Sequence, residues 1–140
     1  MVSELPDPAK WKIRVRLVVT DFPGTFDELT RRIGIRPDRT LEAGKPVAPG
    51  RARASDRWII DATADDRMPL QDQLELLLDR VSSVADRLSD LPEPTSVIVS
   101  CGVQDYDRDV SLNFEADVVA RVAKLKATLD IGYYDMSSEK

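Results

Sequence analysis

One long amphipathic segment constrains the fold of this chain more than any other part of its sequence. Between positions 70 and 91, apolar residues recur at spacings of three and four, which is the period of a single helical face. The stripe consists of Leu70, Leu74, Leu77, Leu78, Val81, Val84, Ala85, Leu88 and Leu91. Pro69 fits the first turn of a helix, and Pro92 and Pro94 follow its last turn. The pattern predicts a helix of about six turns that buries one face against a larger apolar surface.

Extended segments on both sides of this helix predict the sheet that provides the surface. The segment 12–21 alternates between two faces, as expected for a half-buried strand. One face carries Ile13, Val15, Leu17 and Val19, and the other carries Arg14, Arg16 and Val18. Further strands are predicted at residues 57–62, 96–102, 110–114 and 129–134. The segment 96–102 is dense enough in β-branched residues to be central in the sheet.

Two shorter helices complete the predicted set of elements. Thr25 and Glu28 have the spacing of a capping box, and Gly34 suits the left-handed end of the helix that follows. Val118, Val119, Val122 and Leu125 define the last helix. The order β-α-loop-β-α-β-β-α-β predicts an α+β fold with a single sheet of about five strands, mostly antiparallel or mixed. Three helices pack on one face in this arrangement, as in a ferredoxin-like or related sandwich.

The length and composition predict one globular domain. The chain has 140 residues, of which 42% are hydrophobic and 32% are charged, so it is long enough to bury a sizeable core. We divide it into an N-terminal arm (1–11), a domain interrupted by a long basic loop (36–56), and a frayed tail (136–140). No apolar run reaches the roughly 20 residues of a membrane span, and no secretory signal is recognisable at the N-terminus. A cytoplasmic location is therefore expected.

The absence of histidine and the scarcity of cysteine exclude many kinds of enzyme chemistry. The sequence has no histidine and one cysteine, Cys101. Histidine-dependent triads, histidine-ligated metals and a thiolate zinc site within one chain are therefore excluded. Carboxylates, lysine, arginine, tyrosine and hydroxyl groups remain, and no cofactor is predicted. Cys101 ends an apolar strand and is expected to be buried as a small hydrophobe.

A basic segment stands out in an acidic chain. Residues 31–57 contain eight Lys/Arg and three Asp/Glu, whereas the whole chain has a net charge of −5. The candidate binding residues in this segment are Arg36, Arg39, Arg51, Arg53, Arg57 and Trp58. They can be solvated and paired with acidic helices, or they can bind an acidic protein or a small anion. Nucleic acid is disfavoured because the pI is about 4.8.

The acidic segments and the paired tyrosines have structural interpretations. Asp105, Asp107 and Asp109 begin like a calcium loop, but Val110 and Ala116 stand where glycine and glutamate are required. A hairpin turn rich in aspartate fits better. Asp61, Asp65, Asp66, Asp130 and Asp135 lie at strand ends, where aspartate is common. Tyr133 and Tyr134 alternate in the last strand, so one of them is expected to be exposed and available to an interface.

Several local motifs, taken in order, resemble one family. They are Ile35-Arg36-Pro37, Gly44, Arg57-Trp58-Ile59-Ile60, the leucine-rich helix, and Leu129-Asp130-Ile131-Gly132-Tyr133-Tyr134. Together they are similar to the bacterial domain-of-unknown-function family 4279, over about residues 13–134. Similar proteins often carry a second acid in the last strand, where this chain has Gly132. The resemblance implies a small α+β protein and transfers no catalytic residue.

The function predicted from these observations is binding rather than catalysis. We expect an interaction module that binds a protein partner or a second copy of itself through the basic loop, and an immunity-type role is one version. The alternative is a small-molecule anion-binding domain or a minor hydrolase that combines the arginines of the loop with nearby aspartates. No nucleic acid and no membrane is expected as a partner, and whether the chain is an enzyme stays open.

Overall fold

A mixed five-stranded sheet forms one layer of the computed structural model, and helices cover one of its faces. The structure describes residues 10–44, 46–48, 51–52 and 55–137. The strands are β1 (Trp11–Thr20), β2 (Arg39–Leu41), β3 (Pro46–Ala48), β4 (Arg51–Ala52), β5 (Arg57–Asp61), β6 (Ser96–Asp105) and β7 (Thr128–Asp135). The helices are α1 (Phe26–Ile33), α2 (Leu70–Val81), α3 (Ala85–Ser89) and α4 (Ala116–Lys124), and a 3₁₀ turn (Ser82–Val84) joins α2 to α3.

The strand order of the sheet is β2-β5-β1-β6-β7. All neighbouring pairs are antiparallel except β6 and β7, which are parallel because the chain crosses over through α4 between them. The strands β5 and β6 are both antiparallel to β1 and flank it, so β5, the central helices and β6 form a split β-α-β unit. The predicted α+β class with one mixed sheet is confirmed.

The hydrophobic core lies between the helices and one face of β1. Ile13, Val15, Leu17 and Val19 are at most 2% exposed, as their alternation predicts. They pack in one cluster with Trp58, Ile60, Val97, Val99, Cys101 and Val103 of the neighbouring strands and with Leu70, Leu74, Leu77, Leu78 and Val81 of α2. The first helix begins at the predicted capping box of Thr25 and Glu28, and Gly34 ends it with φ 98°.

A fully buried glutamine joins α2 to the sheet where β5 has ended. Gln73 has an exposed fraction of 0%, and its Nε2 donates to the carbonyl oxygens of Ile13 and Met68, both at 2.8 Å. Its Oε1 accepts from the backbone N–H of Val15 at 3.2 Å. These bonds satisfy polar groups of β1 that a longer β5 would otherwise pair.

The leucine-rich helix is divided rather than continuous. The α-helix ends at Val81, and α3 resumes at Ala85 after the 3₁₀ turn. The Ser82 hydroxyl donates to the carbonyl oxygen of Asp79 at 2.9 Å, a local bond that competes with the regular helical ladder. Val84 and Leu88 remain buried. The prediction of a single six-turn helix was therefore wrong in its continuity and right in its apolar face.

The strand predicted at residues 110–114 does not form, and residues 110–115 lie in neither a helix nor a strand. Because β1 and β7 occupy both edges of β6, no edge of this strand is left to pair with a hairpin partner. The chain instead turns sharply after Asp105, and Val110 and Phe114 pack as partly buried side chains against the core. The aspartate-rich turn is therefore not a hairpin turn.

The predicted basic loop contains short strands. Residues 39–41 form the edge strand β2 beside β5, and β3 pairs with β4 in a separate two-stranded sheet. Residues 45, 49–50 and 53–54 of the loop lie outside the described residues, as do positions 1–9 of the predicted arm and 138–140 of the predicted tail. Among the described residues, no helix is both long enough and apolar enough to cross a membrane.

Candidate functional site: the open face of the sheet

The sheet has a second face, which points away from the helices and is called the open face below. The residues of β1 that alternate with its core residues lie on this face: Lys12, Arg14, Arg16, Val18 and Thr20. Their partners in register on β6 and β5 share the face. Val18 and Ile59 are neighbours there and are 7% and 1% exposed. The accessible part of the open face therefore lies toward the start of β1.

Three rows of residues cross this accessible part, and each row connects β1, β6 and β7 in register. The rows are Lys12–Gln104–Tyr134, Arg14–Gly102–Gly132 and Arg16–Ser100–Asp130. Asp61 of β5 extends the last row on the other side of Arg16. Lys12, Arg14 and Arg16 therefore line up along one strand, and we call these three residues the cationic patch.

The cationic patch is not neutralised within the described part of the chain. Its three side chains form no ion pair and no side-chain hydrogen bond with residues 10–44, 46–48, 51–52 or 55–137. Burial lowers the pKa of the half-buried Arg16 guanidinium, and the positive charge of Arg39 lowers this pKa further. Asp61 acts in the opposite direction. Arginine keeps its charge under such conditions, so Arg16 is a cation that has lost water without gaining a hydrogen-bonding partner among the described residues.

A depression of about 320 Å³ lies on the cationic patch. Its lining consists of Lys12, Arg14, Arg16, Asp66, Gly102, Val103, Gln104 and Tyr134. A Cβ atom placed on Gly102 would meet no atom of the described residues within 4 Å, whereas one placed on Gly132 would lie 3.5 Å from Cε2 of Tyr134. The Tyr134 ring therefore leans over Gly132, and the space above Gly102 is open.

A second depression of about 480 Å³ adjoins the first, and Arg14 and Asp66 line both. It lies between β1, the end of β5 and α2. Its other lining residues are Val15, Asp38, Arg39, Asp61, Thr63, Ala64 and Arg80. The two depressions together form a groove that runs from Tyr134 to Arg80.

Four of the six charged residues that line the second depression are paired with one another. Arg80 donates from both terminal nitrogens to the carboxylate of Asp38, at 2.7 and 3.3 Å, and also to the backbone carbonyl of Asp61. The hydrogen bond from Arg80 holds the pKa of Asp38 below its usual range, and the same bond raises the pKa of Arg80. Arg39 pairs with Asp61 at 3.3 Å. This half of the groove is a structural ion-pair network that joins β2, β5 and α2.

The structure places the binding residues predicted from the sequence in different parts of the molecule. Arg39 lines the second depression, and Arg57 lies on the open face beside Thr20. Arg36 is exposed and lines neither depression. The side chain of Arg51 and all of Arg53 lie outside the described residues.

Trp58 is removed from the predicted binding set by its burial. The residue is 0% exposed, and its Nε1 donates to Oγ1 of Thr30 at 3.0 Å. Its indole ring belongs to the core, because β5 turns this residue toward the helices. No surface of the ring is available for a ligand.

Sequence reasoning missed the cationic patch, although its signal was present. The alternation of β1 already placed Arg14 and Arg16 on the face opposite the core. Tyr134 was anticipated as one of two alternating aromatics, and it is the more exposed, at 61% against 42% for Tyr133. The register that brings Gly102 and Gly132 beside Arg14 is not visible in any local pattern.

The groups in and near the groove that could take part in a reaction are limited in kind. The chain has no histidine, and burial raises the pKa of the Cys101 thiol to about 12. Among the described residues, no three or more Asp, Glu, Cys or His side chains are grouped so that they could hold a metal ion. Asp38 and Asp61 are held in ion pairs. The groove cations without an ion pair in the described part of the chain, Lys12, Arg14 and Arg16, are donors suited to an anion.

The fold and the groove define an α+β domain whose sheet has one face covered by helices and a second face with an accessible, cationic part. The chain belongs to the family described as Domain of unknown function (DUF4279), whose model matches residues 10–136. This confirms the resemblance inferred from the sequence motifs. Comparisons with curated proteins and with solved structures gave no match.

Proposed function

We propose that this protein is a binding module that takes an anionic group on the open face of its sheet. The observation that carries the proposal is the cationic patch, in which three cations align on one strand without carboxylate partners in the described chain. Among the other Lys and Arg residues whose side chains are described, five have carboxylate partners: Lys10, Arg39, Arg80, Arg108 and Arg121. Exposed cations such as Arg31, Arg32 and Arg36 have none in the described chain either, so the alignment of three cations beside one depression is what distinguishes the patch. An anion bound at the patch would supply the charge-assisted hydrogen bonds that Arg16 lacks.

The surroundings of the patch favour a compact anion over a long polyanion. Asp61 and Asp66 line the groove, Asp130 lies in the row of Arg16, and the net charge of the chain is −5. An extended nucleic acid would have to cross these carboxylates, whereas a phosphate or carboxylate group can sit between the cations alone. Hydrolysis is less well supported than binding because the nearby carboxylates Asp38 and Asp61 are already paired with arginines.

Isothermal titration calorimetry with inorganic pyrophosphate tests this proposal. The wild-type chain is expected to bind with an affinity that falls as salt is added, because exposed charges are screened. The triple variant Lys12→Gln/Arg14→Gln/Arg16→Gln should bind at least about tenfold more weakly, a loss of about 1.4 kcal/mol. Binding that is unchanged in this variant, or absent from the wild type across pyrophosphate, citrate and ribose 5-phosphate, would overturn the proposal.

Self-association is a second candidate, and the edge strand β7 favours it. This strand forms one border of the sheet over eight residues, and it contains no proline and no lysine. Proline and lysine commonly protect an edge strand from pairing with another chain, and β7 lacks both. Light scattering is expected to give twice the chain mass of 15.7 kDa. A monomer at high concentration would rule this candidate out.

A further inference from the structure

The floor of the depression over Gly102 is flat and open. Gly102 and Gly132 are neighbours in register on the parallel strands β6 and β7, so two adjacent positions of the open face have no side chain. Among the described residues, no atom lies within 4 Å of a Cβ placed on Gly102, which leaves room for a flat group against the strand. The backbone of β6 can thus be approached closely at this point.

The walls of the depression combine two kinds of chemistry. Tyr134 presents an aromatic ring that is 61% exposed, and Lys12, Arg14 and Arg16 present positive charge on the opposite side. Gln104 lies between Lys12 and Tyr134, and its Oε1 accepts a 3.4 Å bond from the Tyr106 hydroxyl. That bond leaves the amide nitrogen of Gln104 as a donor at the edge of the depression.

From these neighbours we infer that the anion carries a planar ring, with the chemistry of a nucleoside monophosphate. The phosphate pairs with the cationic patch, the ring lies over Gly102 and against Tyr134, and Gln104 donates to an acceptor on the ring edge. The inference rests on the anion-binding function proposed above and narrows its ligand class.

The size of the depression fits one such unit. Small-molecule sites occupy about 300–1,000 Å³, and this depression has about 320 Å³. Asp66 closes the end toward the second depression, and Asp130 lies beside Gly132 along β7. A second phosphate on either side would meet a carboxylate, so a mononucleotide is favoured over a single-stranded oligonucleotide.

Titrations with two related ligands separate the contribution of the planar ring to the affinity from that of the phosphate. Adenosine 5′-monophosphate and ribose 5-phosphate carry the same phosphate and sugar, and only the first has a planar base. Stacking of one base on an aromatic side chain contributes about 1–3 kcal/mol, so the wild-type chain should prefer adenosine 5′-monophosphate by at least about fivefold. Tyr134→Ala should abolish this preference, and Tyr134→Phe should keep it.

Two further variants test the position of the ring. Gly102→Val fills the open floor, and it should weaken adenosine 5′-monophosphate while leaving ribose 5-phosphate almost unchanged. Tyr133→Phe is the matched control, because Tyr133 lies on the other face of β7 and donates to Asp105. It should leave the preference intact. Circular dichroism and thermal melting of each variant confirm that it is folded before its affinities are compared.

The outcomes distinguish this inference from the broader proposal. Equal affinities of the wild type for the two ligands would overturn the planar-ring inference and leave anion binding standing. No binding of either ligand or of pyrophosphate would overturn both. An eight-nucleotide single strand that binds more tightly than the mononucleotide would overturn the assignment to a small ligand.

Discussion

The turn that follows β6 and the cationic patch on β1 both concentrate charge, but they satisfy that charge in opposite ways. Asp105 is 0% exposed, and its carboxylate accepts hydrogen bonds from the backbone N–H groups of Asp107, Asp109 and Val110 and from the Tyr133 hydroxyl. The patch has no comparable partner among the described residues. A charge that is fully hydrogen-bonded supports the fold, whereas unpaired cations gathered on an accessible face are available to a ligand.

The largest expected effect on stability comes from removing the hydrogen-bonded carboxylate of Asp105. Asp105→Ala leaves three backbone donors and a tyrosine hydroxyl without their acceptor, and it should lower the free energy of unfolding by about 3 kcal/mol. Urea denaturation checks this value. Asp107→Asn is the control, because Asp107 is exposed and contributes only its backbone N–H to this turn. A loss below about 1 kcal/mol would mean that the turn is not held by Asp105.

We expect the hydrogen-bonded carboxylate of Asp105 to make the folded chain less stable in acid. Burial by itself raises the pKa of Asp105, but the hydrogen bonds from Val110, Asp109 and Tyr133 outweigh burial and hold the pKa below its usual range. The stabilisation that ionised Asp105 gives the folded chain is therefore complete above the pKa of this carboxyl in the unfolded chain, about 3.9. It is lost as the pH falls through the lower pKa of the folded chain. Thermal melting between pH 7 and pH 2 should show a smaller acid-induced fall for Asp105→Asn than for the wild type. Identical profiles would contradict this account.

A smaller effect is expected from a carboxylate added beside the patch. Gly132→Asp places an acid in the row of Arg14 and Gly102, and a Cβ there makes only ordinary contacts with Tyr134. The new charge should compete with the ligand for Arg14 and weaken pyrophosphate binding by about fivefold to tenfold. Gly132→Asn has nearly the same shape without the charge and serves as the control. Equal losses in both variants would point to a steric effect instead.

The smallest expected effect on stability is at the patch itself. Arg16→Gln removes a cation that has no carboxylate partner in the described chain and that Arg39 and Arg14 repel. The free energy of unfolding should change by less than about 0.5 kcal/mol, in either direction. Chemical denaturation of this variant tests whether the arginine is structural. A destabilisation above about 2 kcal/mol would show that Arg16 supports the fold.

The fold class was readable from the sequence because it depends on local period and order. The alternation of Ile13 to Val19 and the leucine stripe of the long helix each carry their own signal. The two errors have different causes. The segment 110–114 alternates apolar and polar residues like a strand, but both edges of β6 are occupied. The leucine-rich helix is interrupted at Ser82, whose hydroxyl makes a local bond to Asp79, although the apolar stripe continues to Leu88.

The candidate site was less predictable because it depends on register. Arg14, Gly102 and Gly132 are distant in sequence, and only the pairing of β1 with β6 and of β6 with β7 makes them neighbours. A register is fixed by the packing of the whole face. The positive charge of segment 31–57 is evident from its composition. The three cations of β1 are less conspicuous because they alternate with core residues.

The central claim is that the accessible cations of the open face, rather than basic charge in general, bind the anion. Two variants with the same change in net charge test it directly, namely Lys12→Gln/Arg14→Gln/Arg16→Gln and Arg31→Gln/Arg32→Gln/Arg36→Gln. The second triple removes exposed charges from the predicted basic segment. In pyrophosphate titrations at one salt concentration, the account predicts a loss of at least about tenfold for the first triple and less than about twofold for the second. Equal losses, or the reverse order, would contradict it.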